Sequence, residues 1–258
     1  MWATVGGQGS IREKMEAVKA AGFDGVEMMS HMDVDEVKAA RDATGLVIPS
    51  VCDAHHWSKP LSHPDARVRR EGIEALERAL RDASAYGAQT VLLVPAVVSQ
   101  EVSYDQAWQR SQAALRAVLP LAAELKVRIA IENVWNHFLL SPLEAARYVD
   151  ELESSWVGWY LDCGNLINYG WPEHWIRLLG HRICQIHIKE FSRKKRDAEG
   201  LWKGFDVPLL EGDNNWPAIM GALDQIGYRG WVVTEQSGGD NLEGLRELAR
   251  RVDRILAA

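Results

Sequence analysis

The sequence predicts an α/β chain closed into a single (β/α)8 barrel, the TIM-barrel architecture, and three observations carry that prediction. The chain has 258 residues, close to the ~250 of a one-domain barrel. Short runs rich in Val and Ile alternate in strict order with longer amphipathic stretches, the pattern of buried parallel strands joined by helices. No stretch rich in Pro, Gly or Ser divides the chain, so residues 1–258 are expected to share one core, large enough to need no staples.

Eight strands are expected at residues 2–6, 25–29, 47–54, 90–98, 128–134, 157–165, 182–191 and 231–236. Each is followed by a helix, at 10–21, 34–44, 65–86, 103–126, 141–152, 172–179, 216–226 and 242–256. Gly22, Gly45, Gly87 and Gly227 stand where helices stop, as the left-handed C-terminal turn requires. Pro142, Pro172 and Pro217 stand at helix starts, where a missing N–H costs nothing. An open doubly wound sheet is the alternative, but Val5-Gly6-Gly7-Gln8-Gly9 is a poor match to its phosphate loop. The uncharged stretch 83–100 contains Ser84, Tyr86, Gly87, Gln89, Thr90 and Pro95, and reads as a helix end, a turn and a buried strand, not a membrane span. The connection 192–215 is unusually long and charged and carries Trp202 and Phe205; a barrel places it on the C-terminal face, where long loops serve function.

Lys and Arg number 29 against 36 Asp and Glu, a net charge of −7, and 47% of residues are hydrophobic. Dominant disorder is excluded, and the acidic balance argues against nucleic-acid or membrane partners. Cys52, Cys163 and Cys184 form neither a disulfide framework nor a CxxC pair. With no basic leader or short apolar run at the N-terminus, a reducing cytoplasm is the expected location.

Four expected strands end in a metal-ligand type after an apolar lead: Ile129-Ala130-Ile131-Glu132, Trp159-Tyr160-Leu161-Asp162, Gln185-Ile186-His187 and Val232-Val233-Thr234-Glu235. A lone carboxylate there would be a cap. Three carboxylates crowded with a histidine are costly to bury unless a cation neutralises them. The set Glu132, Asp162, His187 and Glu235 is oxygen-rich with one imidazole, which suits one divalent ion, Mn²⁺ first and then Mg²⁺ or Co²⁺, better than structural zinc.

At Ile131-Glu132-Asn133-Val134-Trp135-Asn136-His137-Phe138-Leu139-Leu140-Ser141-Pro142, Leu161-Asp162-Cys163-Gly164-Asn165, His187-Ile188-Lys189-Glu190 and Glu211-Gly212-Asp213-Asn214-Asn215-Trp216-Pro217 the sequence resembles the sugar-phosphate isomerase/epimerase group of xylose-isomerase-like barrels, ketose 3-epimerases among them. The resemblance spans the chain from Ala21 onward. It implies a single divalent metal on Glu132, Asp162, His187 and Glu235, with Glu132 and Glu235 exchanging the substrate proton, and family members often form homodimers or homotetramers. The chemistry is coherent. Inverting a carbon beside a ketone passes through a cis-enediolate whose charge needs a Lewis acid, and two carboxylates on opposite faces can remove and return the proton.

The resemblance also implies a substrate-binding role for Arg193, six residues after His187, and puts Asn165 where some of those epimerases have a histidine. Lys189 alternates in phase with His187 and is expected to reach the site or to anchor a carboxylate. After the third expected strand, Trp57 could carry a sugar's apolar face and His56 donate to it, with rim packing as the alternative for His55, His56 and Trp57. Glu27 is expected to cap a loop rather than bind substrate. Trp135, Trp171 and Trp202 are pocket-wall candidates or plain packing residues, and Cys163 is a packing residue. The expected partner is a small sugar or sugar phosphate. Competing readings are a hydroxypyruvate isomerase or inosose-type dehydratase on the same metal site, an endonuclease IV-like DNA-repair enzyme, which would need more histidines and a basic face, and a non-catalytic sugar-binding barrel.

Overall fold

The computed structural model describes residues 1–258. Seven parallel strands follow one another round the sheet in chain order: β1 (Met28–Met29), β2 (Ser50–Cys52), β3 (Thr90–Leu93), β4 (Arg128–Glu132), β5 (Val157–Asp162), β6 (Ile183–Ile188) and β7 (Val232–Thr234). The outer layer contains α1 (Ile11–Ala21), α2 (Val34–Thr44), α3 (Ala66–Tyr86), α4 (Tyr104–Leu125), α5 (Pro142–Asp150), α6 (Cys163–Ile167), α7 (Pro172–Leu179), α8 (Arg193–Glu199), α9 (Trp216–Gln225) and α10 (Leu242–Leu256). The eight expected helices are all present. Their ends lie where capping chemistry puts them: Ser10 and Glu13 form a reciprocal capping box on α1, Asp33 caps α2, and Gly22, Gly45 and Gly87 close three helices in the left-handed conformation.

Apolar burial is divided unequally. A cluster of 56 buried residues fills the layer between strands and helices. The separate cluster on the inward side of the strands contains just Cys52, Leu92, Ala130 and Tyr160. The rest of the barrel interior is polar, because Glu27, Ser50, Gln185, His187 and Asp162 are all buried.

Three expectations about this architecture are corrected. Residues 2–6 do not form a strand. Trp2–Thr4 is a 3-10 turn in which the Thr4 N–H and hydroxyl both donate to the Met1 carbonyl, and Gly6 and Gly7 beyond it are poor strand formers. The segment still bridges the gap between β7 and β1: the Met1 amine donates to Thr234 O at 2.8 Å and Trp2 N–H to Glu27 O at 2.7 Å. A largely apolar cleft of about 570 Å³ remains beside that bridge, lined in part by Val18, Val26, Leu223 and Val252. Second, β5 stops at Asp162 rather than running to residue 165. Asp162 Oδ1 accepts the Asn165 N–H at 2.7 Å and so caps the short helix α6. Third, β3 stops at Leu93 rather than running to residue 98, and within the 192–215 connection α8 is followed by a 3-10 segment at Leu201–Phe205.

That connection is tied down by a buried carboxylate. Glu190, just past β6, is fully buried and accepts from Leu210 N–H (2.9 Å), Asn214 N–H (3.1 Å), Asn214 Nδ2 (2.9 Å) and Trp216 Nε1 (2.9 Å). Phe191 N–H adds a fifth donor at 3.3 Å, and removing the carboxylate takes the acceptor from all five. Glu190→Ala should cost about 3 kcal/mol or more, since each buried donor left unpaired carries a penalty of about 1–3 kcal/mol. Urea melts would measure the loss, and limited proteolysis should show new cleavage within residues 200–214. Glu190→Gln, which keeps one carbonyl acceptor, should fall between the two.

Candidate active site

Strand alternation aims every second side chain inward, and strand register brings the polar ends to one level. Asp162 pairs with His187 across β5 and β6. Glu132 closes β4, and Glu235 follows β7, its N–H bonded to Ile188 O at 3.0 Å. The four expected ligands therefore converge: Glu132, Asp162, His187 and Glu235 each offer one donor atom, and those atoms lie within 4.8 Å of one another. From His187 Nδ1, a Glu132 oxygen stands at 3.0 Å, a Glu235 oxygen at 3.4 Å and Asp162 Oδ2 at 3.8 Å.

The other ring nitrogen of His187 explains why that geometry is stable. Nε2 faces Glu27 Oε1 at 3.0 Å. Glu27 Oε2 in turn accepts from Ser50 Oγ at 2.5 Å and Tyr160 OH at 2.8 Å, and Ser50 Oγ accepts from Gln185 Nε2 at 2.6 Å. Glu27 is thus not a loop cap. A carboxylate on Nε2 fixes the proton there and leaves the Nδ1 lone pair for the cluster, the arrangement that orients metal-binding histidines. Asn133 is a second residue that the sequence reading missed. Its side chain donates to Asp162 O at 2.8 Å and accepts from Asp162 N–H at 3.0 Å, so it locks the end of β5 to that of β4.

Lys189 completes the charge balance. Its Nζ lies 2.9 Å from Glu235 Oε2 and 3.5 Å from Asp162 Oδ2. Burial pushes Glu132 up to about 7, with Glu235 and Asp162 adding to the rise, and burial pushes Asp162 up to about 6. Burial acts the same way on Glu235, but Lys189 and His187 outweigh it and hold that carboxyl down at about 2. His187 is lowered by burial yet raised further by Glu27 and Glu132, so its net shift is upward.

The donor set fits a cation. Asp162 Oδ2 is buried without a hydrogen-bond partner, and it points into a group of hard oxygen donors with one imidazole, the chemistry of a divalent-ion site.

The remaining candidates sit round this centre in different ways. Asn165 is buried; its Nδ2 donates to Asn133 O at 3.0 Å and its carbonyl accepts from Trp135 Nε1 at 2.8 Å, so it joins two rim loops. Arg193 turns outward from the cluster, donating to Ile167 O at 2.8 Å and Gly170 O at 3.0 Å, with its guanidinium over Trp171. His56 is buried and accepts from Val94 N–H at 3.3 Å; burial lowers it to about 4, which keeps it neutral near pH 7. Trp57 packs edge-on to His56 and is 52% exposed. The Cys163 thiol is buried and pushed well above its ordinary range, first by burial, which suits packing rather than nucleophilic attack.

The fold and the carboxylate–histidine centre define a class, and residues 15–255 match the model of the xylose isomerase-like TIM barrels. The chain belongs to that family. Among its relatives is SgbU of Escherichia coli strain K12, 30% identical over 86% of this chain and 82% of its own. Another is the L-ribulose-5-phosphate 3-epimerase UlaE of Escherichia coli O157:H7 (strain EC4115), 26% identical over 95% of this chain and 88% of the relative. The crystal structure of the Escherichia coli 3-keto-D-glucoside 4-epimerase YcjR superposes with a TM-score of 0.80 at 20% identity, covering 99% of each chain. With epimerases as its relatives, the chain is an enzyme of the isomerase class.

The Glu27 contact predicts a titration. Glu27 raises the proton affinity of His187, so in the metal-free protein Glu27→Gln should shift the His187 imidazole to a lower pKa while keeping the acceptor for Tyr160. Histidine NMR titration reads this directly, and an unchanged midpoint would show that Glu27 does not act on the ring.

Proposed function

We propose that the chain is a divalent-metal-dependent sugar or sugar-phosphate epimerase or isomerase that works on a ketose through a cis-enediolate. The observation that carries this reading is the pair Glu132 and Glu235. Both stand beside His187 Nδ1, at 3.0 and 3.4 Å, one closing β4 and the other just past β7. Two carboxyl groups brought to one centre from different strands can remove a proton from a carbon and return one to it.

Glu132, Asp162, His187 and Glu235 would hold the ion, with Mn²⁺ preferred and Mg²⁺ or Co²⁺ as substitutes. When bound, a divalent ion supplies Lewis-acid stabilisation of charge on adjacent sugar oxygens. The protein moves the proton. Glu235, held ionised beside Lys189, takes the hydrogen as a proton from the carbon next to the ketone; the C–H electron pair becomes the enediolate double bond and the carbonyl π pair moves onto the ketone oxygen. Glu132, which burial allows to carry a proton, delivers one to the opposite face and restores the ketone. In the reverse direction the two exchange roles.

Lys189 has further N–H groups to offer a sugar oxygen. His56 and Trp57 supply a polar edge and an apolar ring on the β2 side of the mouth. Asn165 and Arg193 serve this site through the rim they hold, not through a side chain directed at substrate. All three cysteines are free, which supports work in a reducing cytoplasm, and no helix is long and apolar enough to cross a membrane.

Calorimetry with Mn²⁺ should find one site per chain. His187→Ala should abolish it, and the exposed His181→Ala should not. Glu235→Gln should keep the fold and much of the metal affinity, since an amide oxygen still coordinates, but should lower turnover by roughly 10²-fold or more. In D₂O, deuterium should enter the substrate at the reacting carbon, and product analysis then separates epimerisation from aldose–ketose isomerisation and dehydration. An unlabelled carbon together with a fully active Glu235→Gln would leave direct hydride transfer as the better mechanism.

A further inference from the structure

Another pocket lies at the N-terminal end of the barrel, opposite the carboxylate cluster. Its walls come from the starts of the strands: Thr90 opens β3, Arg128 opens β4, and Cys184 and Gln185 stand near the start of β6. The pocket has a volume of about 300 Å³, and none of its ten lining residues is acidic. Two are cationic, Lys126 and Arg128. Neither has a carboxylate within ion-pair distance, whereas Arg182, just before β6, is bonded to both oxygens of Asp150. The chain as a whole carries a net charge of −7, so a pocket with two unpaired cations and no acid runs against its overall balance.

Local structure places both cations. Arg128 stands two residues before Ala130 on β4, and Ala130 belongs to the inward cluster, so strand alternation directs Arg128 to the same side. The guanidinium opposes the rise that burial imposes on the Cys184 thiol, which sets it beside another lining residue. Lys126 ends α4 in the left-handed conformation, with φ 57°. Helices α1, α2 and α3 carry glycine at that position, where the conformation costs no strain. Helix α4 keeps a lysine there in spite of the strain, and a need for its side chain accounts for that. The floor is polar. Thr90 and Gln185 are buried, and Gln185 gives its Nε2 to Ser50 Oγ at 2.6 Å, which leaves its amide oxygen as an acceptor.

We propose that this pocket is an anion site that takes a phosphate dianion, free or as the head of a small monoester, on Arg128 and Lys126. Two cations match the charge of about −2 that a phosphate group carries near neutrality. Arg128 offers a planar fork of donors and Lys126 a point charge. The Gln185 oxygen accepts from a ligand hydroxyl, and Trp156 and Trp231 at the same pocket give an ester group an apolar flank. The site is separate from the reaction. Arg128 and Glu132 occupy opposite ends of β4, roughly 13 Å apart at the usual strand rise, so a ligand here leaves the carboxylate mouth free.

Calorimetry on the full chain tests this, with no divalent ion added so that the carboxylate cluster repels anions. The probes are inorganic phosphate, glycerol 3-phosphate and malonate, at about 0.15 M salt. Phosphate should bind once per chain with a Kd below about 1 mM. Malonate, a dianion without the tetrahedral oxygens, should bind about tenfold more weakly. Glycerol 3-phosphate binding tighter than phosphate identifies a monoester as the ligand, and the reverse order identifies the free ion. Arg128→Gln and Lys126→Gly should each weaken phosphate binding about tenfold, the scale of one charge-assisted contact. Lys126→Gly relieves a left-handed residue and should melt no lower than the wild type, which separates loss of binding from loss of fold. A Kd above about 1 mM, malonate binding as tightly as phosphate, or phosphate affinity unchanged in either variant would each overturn the proposal.

Discussion

Four carboxylates share the interior of this barrel, and the rest of the structure is arranged around making that tolerable. Glu27, Glu132 and Asp162 are buried and Glu235 is partly exposed at the mouth, with two cationic partners, His187 and Lys189, among them. Burying one unpaired charge costs several kcal/mol, so the cluster persists only because each member is held by a specific partner. Glu27 has three donors, and Glu235 has the ammonium of Lys189. Asp162 Oδ2 is buried without a hydrogen-bond partner, with the Lys189 ammonium 3.5 Å away. The residual acceptor capacity is thus concentrated at the place where the donor atoms converge, which is what turns a costly polar interior into a cation site.

A second buried carboxylate connects this centre to the rim. Glu190 is adjacent to Lys189 in sequence and points the other way along β6, into the loop that ends at Trp216. Gly212 is required by that packing, because a Cβ there would stand 2.6 Å from the Glu190 side chain. Gly204 makes room in the same manner for the Phe191 ring, 2.3 Å from where its Cβ would be. Phe191 in turn packs on Phe205 at 4.8 Å and on Trp135 at 5.7 Å, so the rings of this connection are held against the segment that carries Lys189.

How much of this was legible in the sequence depended on the distance over which the information had to travel. Helix ends were readable because caps are local: Ser10 and Glu13 settle a boundary within three residues. The four donors were readable because each interrupts an apolar run at the end of a strand. Glu27 was not, since its meaning lies in a partner 160 residues away; its only trace was another acidic residue closing a short apolar run, with polar Ser50 and Gln185 on strands that had first to be aligned. Residues 2–6 misled because alternation favours a strand, while the 3-10 turn and the glycines after it decide otherwise. Arg193 shows a further limit. Spacing from His187 places its Cα near the mouth but cannot tell which carbonyls will claim its guanidinium.

The partition of the core explains how one chain accommodates both the fold and this centre. Stability comes from the layer between strands and helices, where 56 residues are packed and hydrophobic burial contributes about 25 cal/mol per Å². The inward cluster of four residues adds little. Because the inward positions contribute so little to the apolar core, polar residues there remove little of that packing. They are also the positions that strand register brings to a common level. The barrel therefore separates the two demands by side-chain parity: along each strand one set of alternate residues faces the helices and stabilises the fold, and the other set faces inward and is free to be chosen for charge, donor type and proton affinity.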